Sequence, residues 1–259
     1  MRSSISKKKS ERATVAATYW FLGICALLIL FPVFWMVSVS FRPNPEVFRY
    51  PPALFPPTFT TEAYQRVLSN NRYLHYFLNS YVIGLTGTLF STIIGLMARY
   101  GLSRFSFRGN KAFTMFVVAT QTVPKVVLLI PFFILMVQLK LYNTRIGLVI
   151  AYTSFALPYS IVMLHGYFNT VSTELDEAAL IDGLSRFKTL WRIILPLMVP
   201  AIISNMIYSF ILSWNEFIFV LALVQDDALR TIPVGIALMK GEQVYEWNMM
   251  MALAVLATI

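Results

Sequence analysis

The chain has 259 residues, 58% of them hydrophobic and only 13% charged, with a mean hydropathy of +0.67, which is far too apolar for an ordinary water-soluble domain and places it in a bilayer. Its one cysteine, Cys25, lies inside an apolar run, so a disulfide framework or cysteine-based metal site is excluded and a core thiol remains. The net charge of +9 raises a nucleic-acid surface as a possibility that the placement of the charges has to support or reject.

In chain order, the polar head MRSSISKKKSER is followed by an apolar run over residues 15–40. That run is longer than a secretory h-region and no small-residue cleavage site follows it, so it stays as an anchor. Trp20 and Trp35 within it, and Trp247 much later, suit the membrane interface. YPPALFPPTFTTEAYQRVL, residues 50–68, opens with prolines that hold an extended backbone and continues as a short interfacial helix. Further apolar runs cover 73–98, 112–139, 146–165 and 197–224, each near the roughly 20 residues a helix needs to cross a bilayer. A sixth begins near Asn248, and MMMALAVLATI supplies only 11 residues of it, so the last helix is expected to be incomplete here. The expected fold is an all-α polytopic membrane protein of six helices, one transmembrane domain over 1–259 with long polar loops at 166–196 and 225–247.

Orientation follows from the basic residues. With a cytoplasmic amino terminus, the inner segments 1–14, 99–111 and 166–196 hold five, four and three Lys or Arg, and the outer segments 41–72, 140–145 and 225–247 hold four, two and two. The short segment RYGLSRFSFRGNK, 99–111, has Arg99, Arg104, Arg108 and Lys111 and no acid. The charge is therefore inner-face anchoring, about +7 inside against +2 outside, and no nucleic-acid partner is expected.

The 166–196 loop then faces the cytoplasm as a polar elbow. Ser172 or Thr173 can cap a helix whose first turn holds Glu174, Asp176 and Glu177, where the helix dipole favours acids, and which runs to about Ile181. Ala178 and Ala179 keep part of its surface low for a partner's approach, Gly183 permits a turn, and Ser185 can cap a second helix carrying Arg186, Lys188 and Arg192. Leu180, Leu184, Phe187 and Trp191 give it an apolar flank, and Pro196 and Pro200 mark re-entry into the membrane. About 30 residues of interleaved charge and apolar surface are long for a passive connector, so the elbow reads as a docking surface.

At this spacing, EAA, two residues, DG, nine residues, I, one residue, LP, the elbow resembles the signature loop of the membrane subunits of binding-protein-dependent ABC importers. The matching positions are Glu177, Ala178, Ala179, Asp182, Gly183, Ile193, Leu195 and Pro196. FRPNPEVF at 41–48, FLNS at 77–80, FRGNKAF at 107–113, LKLYNTRIGLVIAY at 139–152, SWNEFIFVLAL at 213–223 and RTIPVG at 230–235 are similar to the carbohydrate branch. Within it, the chain resembles the shorter permease subunit of maltose-type and glycerol-phosphate-type systems.

The resemblance implies the six-helix permease fold and one permease half of an ATP-driven sugar importer in a bacterial or archaeal plasma membrane. Closure of a separate ATPase would be coupled through the elbow to alternating access. Glu177 would meet a basic group of the ATPase, Ala178 and Ala179 would seat the helix, Gly183 would supply the bend, and Asp182, Arg186 and Phe187 would complete the contact. The implied partners are a homologous second permease, two ATP-binding subunits holding ATP and Mg, an extracytoplasmic solute-binding protein and membrane lipid. In maltose-type systems the membrane sugar site belongs to the partner permease. Glycerol phosphate, peptide or polyamine transport stays open, because the elbow reports coupling and not solute, as does a gradient-driven secondary transporter.

The sequence holds no GxxxxGK[ST] phosphate loop, no HExxH and no Cys–His cluster, and His75 and His165 are two spans apart. No catalytic, metal or cofactor site is expected in the chain, and ATP hydrolysis is expected on a separate polypeptide. For a pathway, Asn205, Ser209, Ser213 and Glu216 recur at intervals of four, four and three on one helical face, flanked by Tyr208 and Asn215. Glu216 fits a translocation cavity or an interhelical pair. Gln121 and Lys125 are four apart beside Pro124, and Lys125 lies about 20 Å along the third run. Its amine could line a cavity or gate, pair with Glu216, or snorkel. Asn79 shares a face with Thr86 and fits either sugar contact or a hydrogen bond between helices. Outside, 236–246, with Lys240, Gly241, Glu242 and Gln243, fits either binding-protein docking or sealing of the outer gate.

Overall fold

Apolar runs with no water to bond their backbone groups must pair those groups internally. The computed structural model does so with helices throughout the residues it describes, 2–105, 107–239 and 246–259. In order these are α1 (Arg2–Ser40), α2 (Asn44–Val47), α3 (Glu62–Ser69), α4 (Asn71–Arg104), α5 (Asn110–Thr120), α6 (Leu129–Gln138), α7 (Arg145–Phe168), α8 (Glu174–Ile181), α9 (Arg186–Thr189), α10 (Leu195–Trp214), α11 (Ile218–Leu223), α12 (Ile232–Leu238) and α13 (Trp247–Thr258). They fall into two compact units, Met1–Asn71 with Leu238–Ile259, and Arg72–Ala237.

Among the described residues, four stretches are long and apolar enough to cross a membrane unbroken: Thr14–Ser40, Asn71–Arg104, Arg145–Phe168 and Arg186–Trp214. The third run corrects the sequence reading of one helix over 112–139, because α5 and Lys125–Gln138 meet at a 96° bend. Pro124, at φ −59° and ψ 126°, offers no amide to the ladder and breaks it there, so Lys125 is not 20 Å along a straight rod. The fifth run is corrected too: α10 stops at Trp214 and α11 starts at Ile218, which puts Glu216 in the gap just past the helix that carries Asn205, Ser209 and Ser213. The 99–111 segment is helical up to Arg104, not a loop throughout.

In the first unit α1 packs along α13, while its apolar side chains between Tyr19 and Phe34, Trp20 included, stand largely exposed as a lipid-facing surface requires. Arg42 is buried just past the end of α1. Its Nη2 donates to Ser38 Oγ at 2.7 Å and to the carbonyls of Ala53 and Leu54, and its guanidinium lies 5.0 Å from the centre of the Trp35 ring. Trp35 therefore stacks on a cation inside the protein. Asn248 Nδ2 donates to the Arg42 carbonyl at 3.1 Å, and Arg66 and Glu246 pair at 2.7 Å.

In the second unit α4, α7 and α10 pack on small residues. A Cβ added at Gly87 or Gly95 of α4 would stand 2.9 Å from Tyr152 Cβ or 2.8 Å from Ser160 Cβ of α7, so only glycine permits this approach. The register makes α4 and α7 parallel. Contacts of Gly84 with Phe210 and of Thr92 with Asn205 make α10 antiparallel to α4. At the elbow end, Leu96, Tyr100, Leu164, Phe168, Leu190, Ile194, Met198 and Ala201 form a core that carries the elbow.

Candidate functional site

The elbow is a helix, turn and helix whose joints follow from its sequence. Ser172 Oγ accepts from the Glu174 amide at 3.2 Å, and α8 runs to Ile181. Gly183, at φ +83°, then closes α8: the Gly183 amide donates to the Leu180 carbonyl at 3.1 Å and the Leu184 amide to that of Ala179 at 2.9 Å. This pair of bonds satisfies the last carbonyls and needs a left-handed residue, which glycine supplies without strain. Ser185 Oγ accepts from the Lys188 amide at 3.4 Å to begin α9. A widened turn, Leu190–Ile194, leads to Pro196.

The two faces of α8 differ. Glu177, Ala178, Ile181 and Asp182 are exposed, as are Gly183, Arg186 and Phe187, whereas Ala179 is 2% exposed and packs inward, so of the two alanines only Ala178 is free to seat a partner. Asp176 is buried and faces α4. One carboxylate oxygen accepts from Tyr100 Oη at 3.0 Å, and the other lies 2.8 Å from Arg104 Nε as an ion pair off the straight N–H line. Arg104 Nη2 also donates to the Val171 carbonyl at 2.9 Å, and the Arg186 guanidinium covers the Phe105 ring at 5.0 Å. The elbow is thus bolted to the end of a membrane-spanning helix.

Lys125 and Glu216 are the only Lys, Arg, Asp or Glu within the five long apolar runs, and the two helix breaks bring them together. Lys125 Nζ lies 4.0 Å from Glu216 Oε2 and 5.7 Å from the centre of the Phe155 ring. Glu216 Oε1 accepts from the Phe219 amide at 3.1 Å, closing the open first turn of α11. Beside them opens a cleft of about 450 Å³ lined by Gln121, Lys125, Phe132, Phe155, Tyr159 and Tyr208, among others. Tyr159 and Tyr208 stack with ring centres 4.1 Å apart. Asn205 and Ser209 are fully buried elsewhere: Asn205 Nδ2 donates to Thr92 Oγ1 at 2.9 Å and Ser160 Oγ at 3.2 Å, and Ser209 Oγ is 3.5 Å from Ser160 Oγ. These two hold three helices together, and Ser213 adjoins Lys125 and Glu216 in a small recess.

A family model for the binding-protein-dependent transport system inner membrane component matches residues 91–259, a span that includes both elbow and cleft. The chain belongs to this family. The permease is similar to the trehalose/maltose transport system permease protein MalG of Thermococcus litoralis, 39% identical over 91% of this chain and 85% of that one. It is also similar to the sulfoquinovosyl glycerol transport system permease protein SmoH of Agrobacterium fabrum, 33% identical over 92% and 85%. A crystal structure of a bacterial ABC transporter involved in the import of the acidic polysaccharide alginate matches with a TM-score of 0.82 at 25% identity, covering 96% of this chain and 92% of that one. The all-α permease fold and the family resemblance read from the sequence are both borne out, and the protein is a multi-pass inner-membrane transport subunit.

At the end of the permease away from the elbow, Asn79 ties a loop down and takes no part in the cleft. Its Nδ2 donates to the carbonyls of Ala228 and Arg230 at 2.8 and 3.0 Å, and its Oδ1 accepts from Arg145 Nε at 3.1 Å. Asp227 in the same loop accepts from Arg72 Nε at 2.7 Å, from Tyr76 Oη at 2.8 Å, and from Arg230. Burial alone would raise its carboxyl, but the hydrogen bonds from Arg72 and Tyr76 and the charges of Arg72 and Arg230 outweigh that and hold it below the usual range. Lys240, Gly241, Glu242 and Gln243, the docking candidates, lie outside the described residues. Sequence reasoning missed Asp176, Arg104, Tyr100 and Asp227 as fasteners. The available signal was an arginine at the end of each side of one span, Arg72 and Arg104, each in need of an acid.

Proposed function

We propose that the permease is one half of the membrane pathway of an ATP-driven sugar importer, and that its elbow couples closure of a separate ATPase to alternating access. The observation that carries this reading is the bolted elbow: Glu177, Ala178 and Ile181 are exposed on a helix whose buried Asp176 grips the end of α4, and Phe187 is exposed on the next, α9. A push on such a surface moves a span instead of deforming a loop. The carbohydrate named in the trehalose/maltose relative supports a sugar as solute. The basic residues of 1–14 and 99–111 support a cytoplasmic amino terminus. A second permease, two ATPases that hold ATP and Mg, and an extracytoplasmic binding protein complete the assembly in this reading.

The test is uptake of labelled sugars and glycerol phosphate into proteoliposomes holding the whole assembly, with and without internal ATP. Uptake should require ATP and fall within the sugars. Glu177→Lys should lower uptake about tenfold or more while ATP hydrolysis continues, the size expected when a coupling contact is lost. Uptake on a gradient alone would overturn the ATP-driven mechanism, and normal coupled uptake by an assembled Glu177→Lys transporter would remove this role from Glu177.

A further inference from the structure

The cleft beside the Lys125 bend combines an aromatic wall with polar groups whose hydrogen-bonding capacity is not filled by the described residues. Phe132, Phe155, Tyr159 and Tyr208 supply the wall, and the volume of about 450 Å³ falls in the range of small-molecule sites. Gln121 donates its Nε2 to the Pro158 carbonyl at 3.2 Å, and its side-chain oxygen accepts from no described residue. The hydroxyls of Tyr159 and Tyr208 likewise have no hydrogen-bond partner among the described residues, although the two rings stack. Lys125 is 43% exposed, and its amine is 4.0 Å from Glu216, beyond hydrogen-bond reach.

We propose that this cleft is a binding subsite for a neutral saccharide unit, a site in this permease itself and not only in its partner. An aromatic wall accepts the C–H face of a sugar ring, and Lys125, Gln121, Tyr159 and Tyr208 satisfy its hydroxyls. A hydrocarbon ligand would leave these four groups unfilled, which is unfavourable once water is displaced. An acidic sugar would find no uncompensated cation there, because the Glu216 carboxylate 4.0 Å from the Lys125 amine offsets its charge. Glu216 is the positioning residue: with Oε1 held by the Phe219 amide, its Oε2 keeps the amine beside the cleft.

The inference rests on the sugar-importer reading, and its test separates the two. In the assembled transporter, with Cys25→Ser, the cleft-lining Ser154→Cys is labelled with a small maleimide. Trehalose or maltose, whichever the wild type imports, should slow labelling about tenfold at saturation, whereas a uronate oligosaccharide should not. In uptake, Lys125→Met and Tyr208→Leu should raise KM about tenfold with a smaller change in maximal rate, and Lys125→Arg should recover most of the loss. Import of a neutral sugar without protection at the cleft and with unchanged KM in these variants would overturn the subsite and leave the importer reading standing. Protection by the uronate instead would overturn the neutral assignment. An assembled wild type that imports no sugar would sink the underlying reading and the subsite with it.

Discussion

Asp176 and Arg104 meet with side chains only 5% and 6% exposed, an environment in which either charge alone is costly. Asp176→Ala leaves Arg104 buried and unpaired and should destabilise the attachment of the elbow by about 3–5 kcal/mol. Limited proteolysis across 166–189 and thermal unfolding of the purified transporter would register it. Adding Arg104→Met should recover most of the loss. A double variant as unstable as the sum of its singles would show that the pair is not coupled. Asp227 gives a pH prediction with the opposite exposure to solvent. Its carboxyl is held below the usual range, so its contribution is present above the unfolded value, near 3.9, and is lost as pH falls through the lower folded value. Hydrogen exchange across 225–232 should therefore be equally protected by this tie at about pH 7 and pH 5, with loosening confined to below about pH 3.9. Asp227→Asn should expose the segment at both pH values; protection already fading at pH 5 would contradict the assignment.

Among the elements, the elbow's joints were legible because cap chemistry is local: Ser185 and Gly183 do what their types and positions dictate. The breaks were less so. Hydropathy is indifferent to direction, so 112–139 reads as one span although Pro124 turns it by 96°. Periodicity placed Glu216 beside Ser213, and the two do line one recess, but it could not show that the helix ends there and that the carboxylate captures the Phe219 amide. Helix packing offers a matched comparison. Gly95→Ala and Gly101→Ala bring the same intrinsic gain of about 1 kcal/mol within α4. A Cβ at residue 95 stands 2.8 Å from Ser160 Cβ, and one at 101 meets nothing within 4 Å. Gly101→Ala should raise the unfolding temperature, and Gly95→Ala should lower it by prising α4 from α7. Equal shifts would mean that the two helices part without cost.

At the scale of the whole molecule, composition and the lengths of the apolar runs were enough to make the fold an all-α membrane protein, and the elbow's cap residues were enough to place its helix, turn and helix. Neither could say that of the neighbours Asp176 and Glu177 one points inward and the other outward, because the answer lies with Arg104 and Tyr100, remote in sequence. The same distance hid the partners of Asp227. The two ties share α4, which suggests one further prediction on the proposed function. If both serve one line of transmission, Asp176→Ala and Asp227→Ala should each lower ATP-driven uptake, and the double variant should be no slower than the worse single. Losses that multiply would mean two independent faults.

That arrangement makes α4 a connecting rod. Its 34 residues span about 50 Å. An Arg–Asp clasp fastens each end, Arg104 to the elbow and Arg72 to the 227–231 turn. A hydrogen-bonded helix is stiff along its axis, so an ångström of travel at one clasp is delivered nearly whole at the other. Under the proposed coupling, a push at the elbow would then reach the far side without any rearrangement of the packing between.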